Sequence, residues 1–319
     1  MLKQNSAKFP VVLLLISLLV SGGAAQKKSL KNQDERVRTM TIPISIFTKK
    51  EQKENRSEEF IQVGDLQVKE DRDDQVILSI RSVSNTPLAL AVLIQDDLSS
   101  STNLQLNDIK KFIRNQPKGT RVMVAYIRGG TLQIRQKFTE DLEAAANSIR
   151  IITGNTATAS SPYDGVEDAL KRFDALPSGR RAILLVSDGL DASRGIESSS
   201  PGQSIDLDRA ILRAQRKSVA VYSVYAPATL TDGGNSRFVL NGQGSLQKIS
   251  DETGGRAYFQ GTGAAISFEP FFEDLNVALN RQFALTYLST HLKKGYHKIQ
   301  VESTNPEVEI EHPRGYYFR

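Results

Sequence analysis

Apolar positions along the chain change rhythm three times, and each change marks a different kind of structure. From 38 to 86 they alternate with polar ones in short stretches, TMTIPISIFT, EEFIQVGDLQVKED and QVILSIRSV, separated by charged or Gly-Asp turns. Alternation with period two predicts half-buried strands, and so a small accessory β unit over 38–86. From 87 to 281 continuous apolar runs alternate with amphipathic stretches. LALAVLIQ (88–95) reads as a strand buried on both faces, and the following NLQLNDIKKFIRN puts Leu106, Ile109 and Ile113 on one helical face. RVMVAYI and TLQIRQKF are joined only by Arg128-Gly129-Gly130, too short for a crossover, which predicts an antiparallel hairpin at a sheet edge.

Alternation then resumes: helices over TEDLEAAANSIRII and PYDGVEDALKRFDAL, strand RAILLVS, helix IDLDRAILRAQRK, strand VAVYSVYA, helix GSLQKISDETGG stopped by Gly254-Gly255, strand RAYFQ and helix EPFFEDLNVALNRQ. The series predicts an α/β fold, Rossmann-like, with a mainly parallel central sheet, helices on both faces and one antiparallel edge strand. Residues 282–319 return to short strands, FALTYLSTHL, YHKIQVES and VEIEHPRGYYFR, expected to pack with the accessory unit.

The first 25 residues stand apart. Lys3 and Lys8 precede the apolar run VVLLLISLLV (11–20), followed by the small residues SGGAA. A basic start, an apolar run about half as long as a bilayer crossing and small residues after it predict a secretory signal peptide cleaved after Ala25. Export to the periplasm or the medium follows as an expectation, with no stable membrane insertion after cleavage. Residues 26–37 are polar and aperiodic, as a flexible link would be, and the charge run KKEQKEN (49–55) reads as a solvated loop. Asn55-Arg56-Ser57 matches a glycosylation sequon, relevant only in a eukaryotic secretory route.

Composition narrows the chemistry. With 319 residues, 39% hydrophobic and 24% charged, the chain can bury a core and is neither disordered throughout nor a polytopic membrane protein. A formal charge of +5 gives no case for a nucleic-acid partner. The absence of cysteine removes disulfides, thiol catalysis and thiolate-bound zinc. His291, His297 and His312 lack any H-E-x-x-H pairing and read as exposed strand or loop residues.

In a sheet of this class ligands sit beyond the C-terminal ends of the strands. There the first buried strand runs into Gln95-Asp96-Asp97-Leu98-Ser99-Ser100-Ser101. Alternate residues of an extended loop can face one point, so Asp97, Ser99 and Ser101 can offer three hard oxygens to a small divalent cation. Oxygen donors without His or Cys favour Mg²⁺, with Mn²⁺ or Ca²⁺ as alternatives. The strand at 182–186 ends in Ser187-Asp188-Gly189, which brings a second carboxylate to the same edge if the two strands are neighbours. Between them, Asn155 to Ser161 is a hydroxyl-rich loop able to supply one further oxygen.

At these residues the chain resembles the von Willebrand factor type A (VWA) domain over roughly 86–280. That family's metal-ion-dependent adhesion site combines D-x-S-x-S, a loop Thr and an Asp in a T-D-G-like turn. ILLVSDG (183–189) looks like the second acidic turn, and SPYDGVEDAL (161–170) like the helix after the Thr loop. Counting back from Tyr163 puts Ser160 at the Thr position, with Thr158 its substitute if the loop is shifted. The resemblance, with the signal sequence and flanking β segments, extends to secreted bacterial VWA-related proteins. It implies binding of a partner protein whose acidic residue completes the shell of a cation held by Asp97, Ser99, Ser101, Asp188 and Ser160.

Two other functions are kept open. A metal-independent structural or assembly subunit would use the same loop only to cap a helix. A Mg²⁺-dependent phosphoryl-transfer enzyme is disfavoured, because Ser99 stands where a haloacid-dehalogenase-like phosphatase needs its second Asp, and Phe138-Thr139 where a receiver-like domain needs its acceptor. No G-x-S-x-G elbow is present either.

Overall fold

The computed structural model describes residues 37–48, 65–83, 86–154, 160–176, 179–232 and 236–318. The expected signal peptide, the polar segment up to residue 36, the charged run at 49–55, the sequon and Thr158 lie outside these residues.

Alternating positions build an antiparallel sheet. In β1 (Arg38–Thr48) Ile42, Ile44 and Ile46 face one side and are buried. They pack with Leu66 and Val68 of β2 (Leu66–Glu70), Leu285 and Tyr287 of β10 (Gln282–Ser289), and Ile299 and Val301 of β11 (Gly295–Ser303). β3 (Asp73–Ser82), β12 (Val308–Glu311) and β13 (Gly315–Phe318) complete seven strands in the order β12-β1-β10-β3-β2-β11-β13, with every pairing antiparallel. Strands far apart in this order share one core, so the sheet curls around it.

Continuous apolar runs build the second sheet. β4 (Leu88–Gln95) is buried along its whole length and pairs in parallel with β5 (Arg121–Arg128) on one side and β7 (Arg180–Ser187) on the other. β8 (Ala220–Tyr225) continues beside β7, and β9 (Ala257–Tyr258) beside β8. β6 (Thr131–Thr139) turns back antiparallel to β5 and forms the other edge. Leu90, Val92 and Ile94 of β4 face a core shared with α1 (Leu106–Arg114), α2 (Leu142–Asn147) and α7 (Glu269–Asn280). Ala91 and Leu93 face the opposite core, shared with α3 (Pro162–Arg172), α4 (Ile205–Arg216) and α6 (Ser236–Thr253). A single turn, α5 (Thr229–Asp232), follows β8.

This architecture corrects the expected fold class. One mainly parallel central sheet with a small accessory unit does not describe the molecule: a seven-stranded, curled, antiparallel sheet stands beside a six-stranded mixed one. The physical reason lies in pairing. Alternation identifies each strand separately, but partners such as Arg38 and Ser289 are chosen by complementary faces across most of the chain, and local pattern carries no record of that choice. Element lengths also differ from expectation. RAYFQ contributes only Ala257 and Tyr258 to a strand, because β9 pairs with β8 over two residues alone. The helix expected over TEDLEAAANSIRII is confined to Leu142–Asn147, and α6 begins at Ser236, ahead of its predicted start.

Polar contacts join the two sheets. Arg180, buried at the start of β7, donates to the Leu279 carbonyl and to Gln282 Oε1 (3.3 Å), and Gln282 Nε2 donates to Tyr222 OH at 3.2 Å. Arg256 bridges Asp274 and Glu311, both at 2.6 Å.

One close approach decides how the loop after β7 is held. α6 crosses it at Gly242, where a Cβ would lie 2.0 Å from the Asp188 carbonyl oxygen, and Gly189, at φ +69°, turns beneath it. Backbone atoms have no rotamer with which to yield. Gly242→Ala is therefore expected to destabilise the protein by about 1–3 kcal/mol, the usual cost of overpacking, read as a lower urea midpoint at unchanged slope.

Candidate functional site

Register does the first part of the assembly. Ile94 of β4 lies opposite Val186 of β7, so the residues after both strands emerge side by side at one rim of the mixed sheet. Gln95, the polar residue that ends the apolar run of β4, joins them. Its Oε1 accepts from Ser187 Oγ at 2.5 Å and from Asp188 N at 3.2 Å. The turn beyond is fixed by Leu190 N donating to Asp188 Oδ1 (3.1 Å) and Tyr163 OH donating to the Gly189 carbonyl (2.8 Å).

The charge of Asp97 acts on Asp188. Asp188 is 3% exposed. Burial, and then the charge of Asp97, push its carboxyl up to about 7. Asp97 is half-buried and is also raised, by burial first and by neighbouring Asp96. Asp96 itself points away from the pair. Its two oxygens take Arg150 Nη1 and Nη2 at 2.8 Å each, and that guanidinium lies 4.2 Å from the Tyr126 ring centre. The Arg150 guanidinium is thus committed to Asp96.

Around the pair, hydroxyls gather unevenly. Ser101 Oγ donates to Ser99 Oγ (3.2 Å), and Ser99 Oγ donates to Asp232 Oδ2 of α5 (2.9 Å). Ser99 N donates to the Pro227 carbonyl at 2.8 Å, so the D-x-S-x-S loop is docked on the segment after β8. Ser160 reaches the same region through its backbone: its carbonyl accepts from Ala192 N at 3.1 Å, tying it to the loop that follows Asp188. The structure therefore brings Asp97 beside Asp188 and Ser99 beside Ser101, and anchors Ser160 to the second loop without a contact from its hydroxyl to either acid.

Gln95 and Asp232 were missed in the sequence. A lone glutamine closing an apolar strand was a usable signal for Gln95. Asp232 had none, since its place beside Ser99 depends on a bridge between Leu98 and Ala228. His297, expected at the surface, is 4% exposed and sits in the antiparallel sheet, bonded to Asp71 Oδ2 (2.8 Å) and the Lys293 carbonyl (2.6 Å).

The donors at the rim fit a hard cation. All are oxygens, and the buried Asp188 carboxyl is raised by its burial and by the Asp97 charge. Among the described residues no group of three or more His, Cys, Asp or Glu could hold a metal ion, so any site here depends on hydroxyls beside its two acids.

Solved structures similar to this one include BatB from Bacteroides thetaiotaomicron, at 14% identity and a TM-score of 0.43, covering 60% of this chain and 98% of that one. The SpRpn10 VWA domain is 16% identical with a TM-score of 0.38, over 60% and 94% of the two chains. A von Willebrand factor type A protein from Catenulispora acidiphila is 11% identical with a TM-score of 0.41, over 81% and 75%. VWA domains are thus among the structural neighbours of this chain, but likeness at these levels carries no argument about its function. No protein-family model and no curated protein matches the sequence.

The Asp188 shift has a thermodynamic sign. The folded state holds this proton up to about pH 7, whereas the unfolded chain releases it near 3.8. Between those values the native state binds more protons, so stability falls as pH rises and the loss is complete above 7. At about 1.4 kcal/mol per pKa unit the loss is on the order of 4 kcal/mol without a divalent cation. Asp188→Asn is expected to remove that slope and to melt higher than wild type at pH 8 in EDTA; thermal melts from pH 4 to 8 measure both.

Proposed function

We propose that this chain captures a partner protein through a divalent cation, Mg²⁺ in the first place and Mn²⁺ or Ca²⁺ in the second, held at the rim of the mixed sheet. The observation that carries the reading is the Asp97–Asp188 pair, in which burial and the Asp97 charge raise the carboxyl of the buried Asp188. Asp97, Ser99 and Ser101 would face the cation, Asp188 would orient its shell, and Ser160 would supply the side position. When bound, the cation supplies a Lewis-acidic position for an outside carboxylate. Serine hydroxyls carry no charge, so few protein charges offset the ion and an acidic partner residue is favoured.

Capture rather than turnover is supported by the residues present. The three histidines lie at 291, 297 and 312, in the antiparallel sheet region, so among the described residues no imidazole stands at the rim as a general base. Residues 1–25 support action outside the cytoplasm, and among the described residues no helix is long and apolar enough to cross a membrane.

A second reading has its own observation. Ser99 is already bonded to Asp232, as it would be in a metal-independent assembly subunit whose loop only closes the rim.

Calorimetry separates the two. Wild type is expected to give heat with millimolar Mg²⁺ and a melting temperature that rises with concentration, since saturation a hundredfold above Kd adds about 2.7 kcal/mol. Asp97→Ala is expected to abolish both. Wild type showing neither heat nor stabilisation with any of the three cations would leave only the assembly role.

A further inference from the structure

Three aliphatic side chains stand in solvent on the rim that carries Asp97. Leu104 is 79% exposed, Ile151 70% and Ile266 89%, while Leu106, Ile152 and Ala265 beside them are buried in the core below. Single exposed aliphatics are ordinary; three from separate loops held together are not. Two amide side chains hold them. Asn103 accepts from Ile152 N at 2.7 Å and donates to the Ile152 carbonyl at 3.2 Å, which fastens the Ile151 loop to the Leu104 turn. Buried Gln105 donates from Nε2 to the Ala265 and Ile266 carbonyls at 3.1 and 3.2 Å, which fastens the Ile266 loop to the same turn. Leu104 sits between the two clamps.

We infer that Leu104, Ile151 and Ile266 form a preorganised apolar docking surface for a protein partner that presents an acidic side chain next to an apolar hollow. The inference rests on the cation reading and adds the partner's second feature. Its warrant is continuity: Ser101 and Leu104 belong to one 3₁₀ turn, Ser100–Gln105, and at a rise of ~2 Å per residue they are about 6 Å apart along its axis. One epitope can therefore reach the cation position and the aliphatic cluster together. Because side-chain amides already fix the three loops, docking costs little ordering entropy, the usual drain on loop-mediated affinity. The Arg150–Asp96 pair beside Ile151 closes internally, which leaves the apolar contact free of a competing charge.

The test uses a random-peptide display library selected on purified protein in Mg²⁺, followed by affinities of single peptides for wild type and for Leu104→Ser/Ile266→Ser. The expected peptides pair Asp or Glu with a nearby aliphatic or aromatic residue, release in EDTA, and lose roughly tenfold or more in affinity to the double variant. Mg²⁺ heat and melting temperature should be the same in both proteins, which excludes misfolding. An empty selection, or peptides indifferent to the double substitution while Mg²⁺ still binds, overturns the inference and spares the cation reading. EDTA-resistant peptides that still need Leu104 and Ile266 uphold the surface and count against the cation. Co-sedimentation of wild type, but not the double variant, with phosphatidylglycerol–phosphatidylcholine vesicles would also overturn it, assigning the aliphatic cluster to lipid.

Discussion

The parallel pairing of β4 with β7 is the constraint on which the rim depends. Two strands in register must release their following residues at one level, and both here are followed by acids. Like charges brought together by strand geometry cannot drift apart as surface side chains do, because the backbone that carries them is buried on both faces. The local fold answers with neutral dipoles rather than with a cation. Gln95 spans the gap between the strand ends, and the Arg150 guanidinium is tied to Asp96. A pair of acids supported in this way is stable enough to exist and polar enough to want a counter-charge. That tension is what gives the rim its chemical character.

Legibility in the sequence followed the range of the forces involved. Strand and helix types over 87–281 were readable because burial on two faces leaves an uninterrupted apolar run, and LALAVLIQ is such a run. The Asp97 and Asp188 loops could be named because each sits at the end of one. What spacing could not supply was the third dimension. Ser99 turned out to face Asp232, from a segment more than a hundred residues later, and Ser160 to be held by its backbone. The antiparallel sheet was misjudged in size for the same reason. Most of its strands were visible singly, though VEIEHPRGYYFR divides into β12 and β13, and β10 lies between β1 and β3, an insertion that no periodicity encodes.

Polar residues buried outside the rim show how differently the two sheets treat charge. In the antiparallel sheet Glu70 is fully buried and its Oε1 takes hydroxyls from Ser289 (3.0 Å) and Tyr316 (2.5 Å). His297 stacks on Tyr316, and its two ring nitrogens are bonded to Asp71 Oδ2 and to the Lys293 carbonyl. There, acids take partners from hydroxyls and a ring nitrogen within the sheet. At the rim of the mixed sheet the acids are left to one another.

The order of strands in the antiparallel sheet also bears on how the molecule comes into being. β1 pairs with β10 and β12, so Arg38 meets Ser289 and Ser45 meets Glu311. During synthesis the first strands must wait, with their backbone edges unsatisfied, until nearly the whole chain has been made. Loop closure over such separations is slow, and a waiting edge is a template for pairing with the wrong neighbour. The intervening mixed sheet can form first and bring the end of β3 beside the start of β10, where Ser82 pairs with Phe283. Assembly from the middle outward would shorten that vulnerable interval.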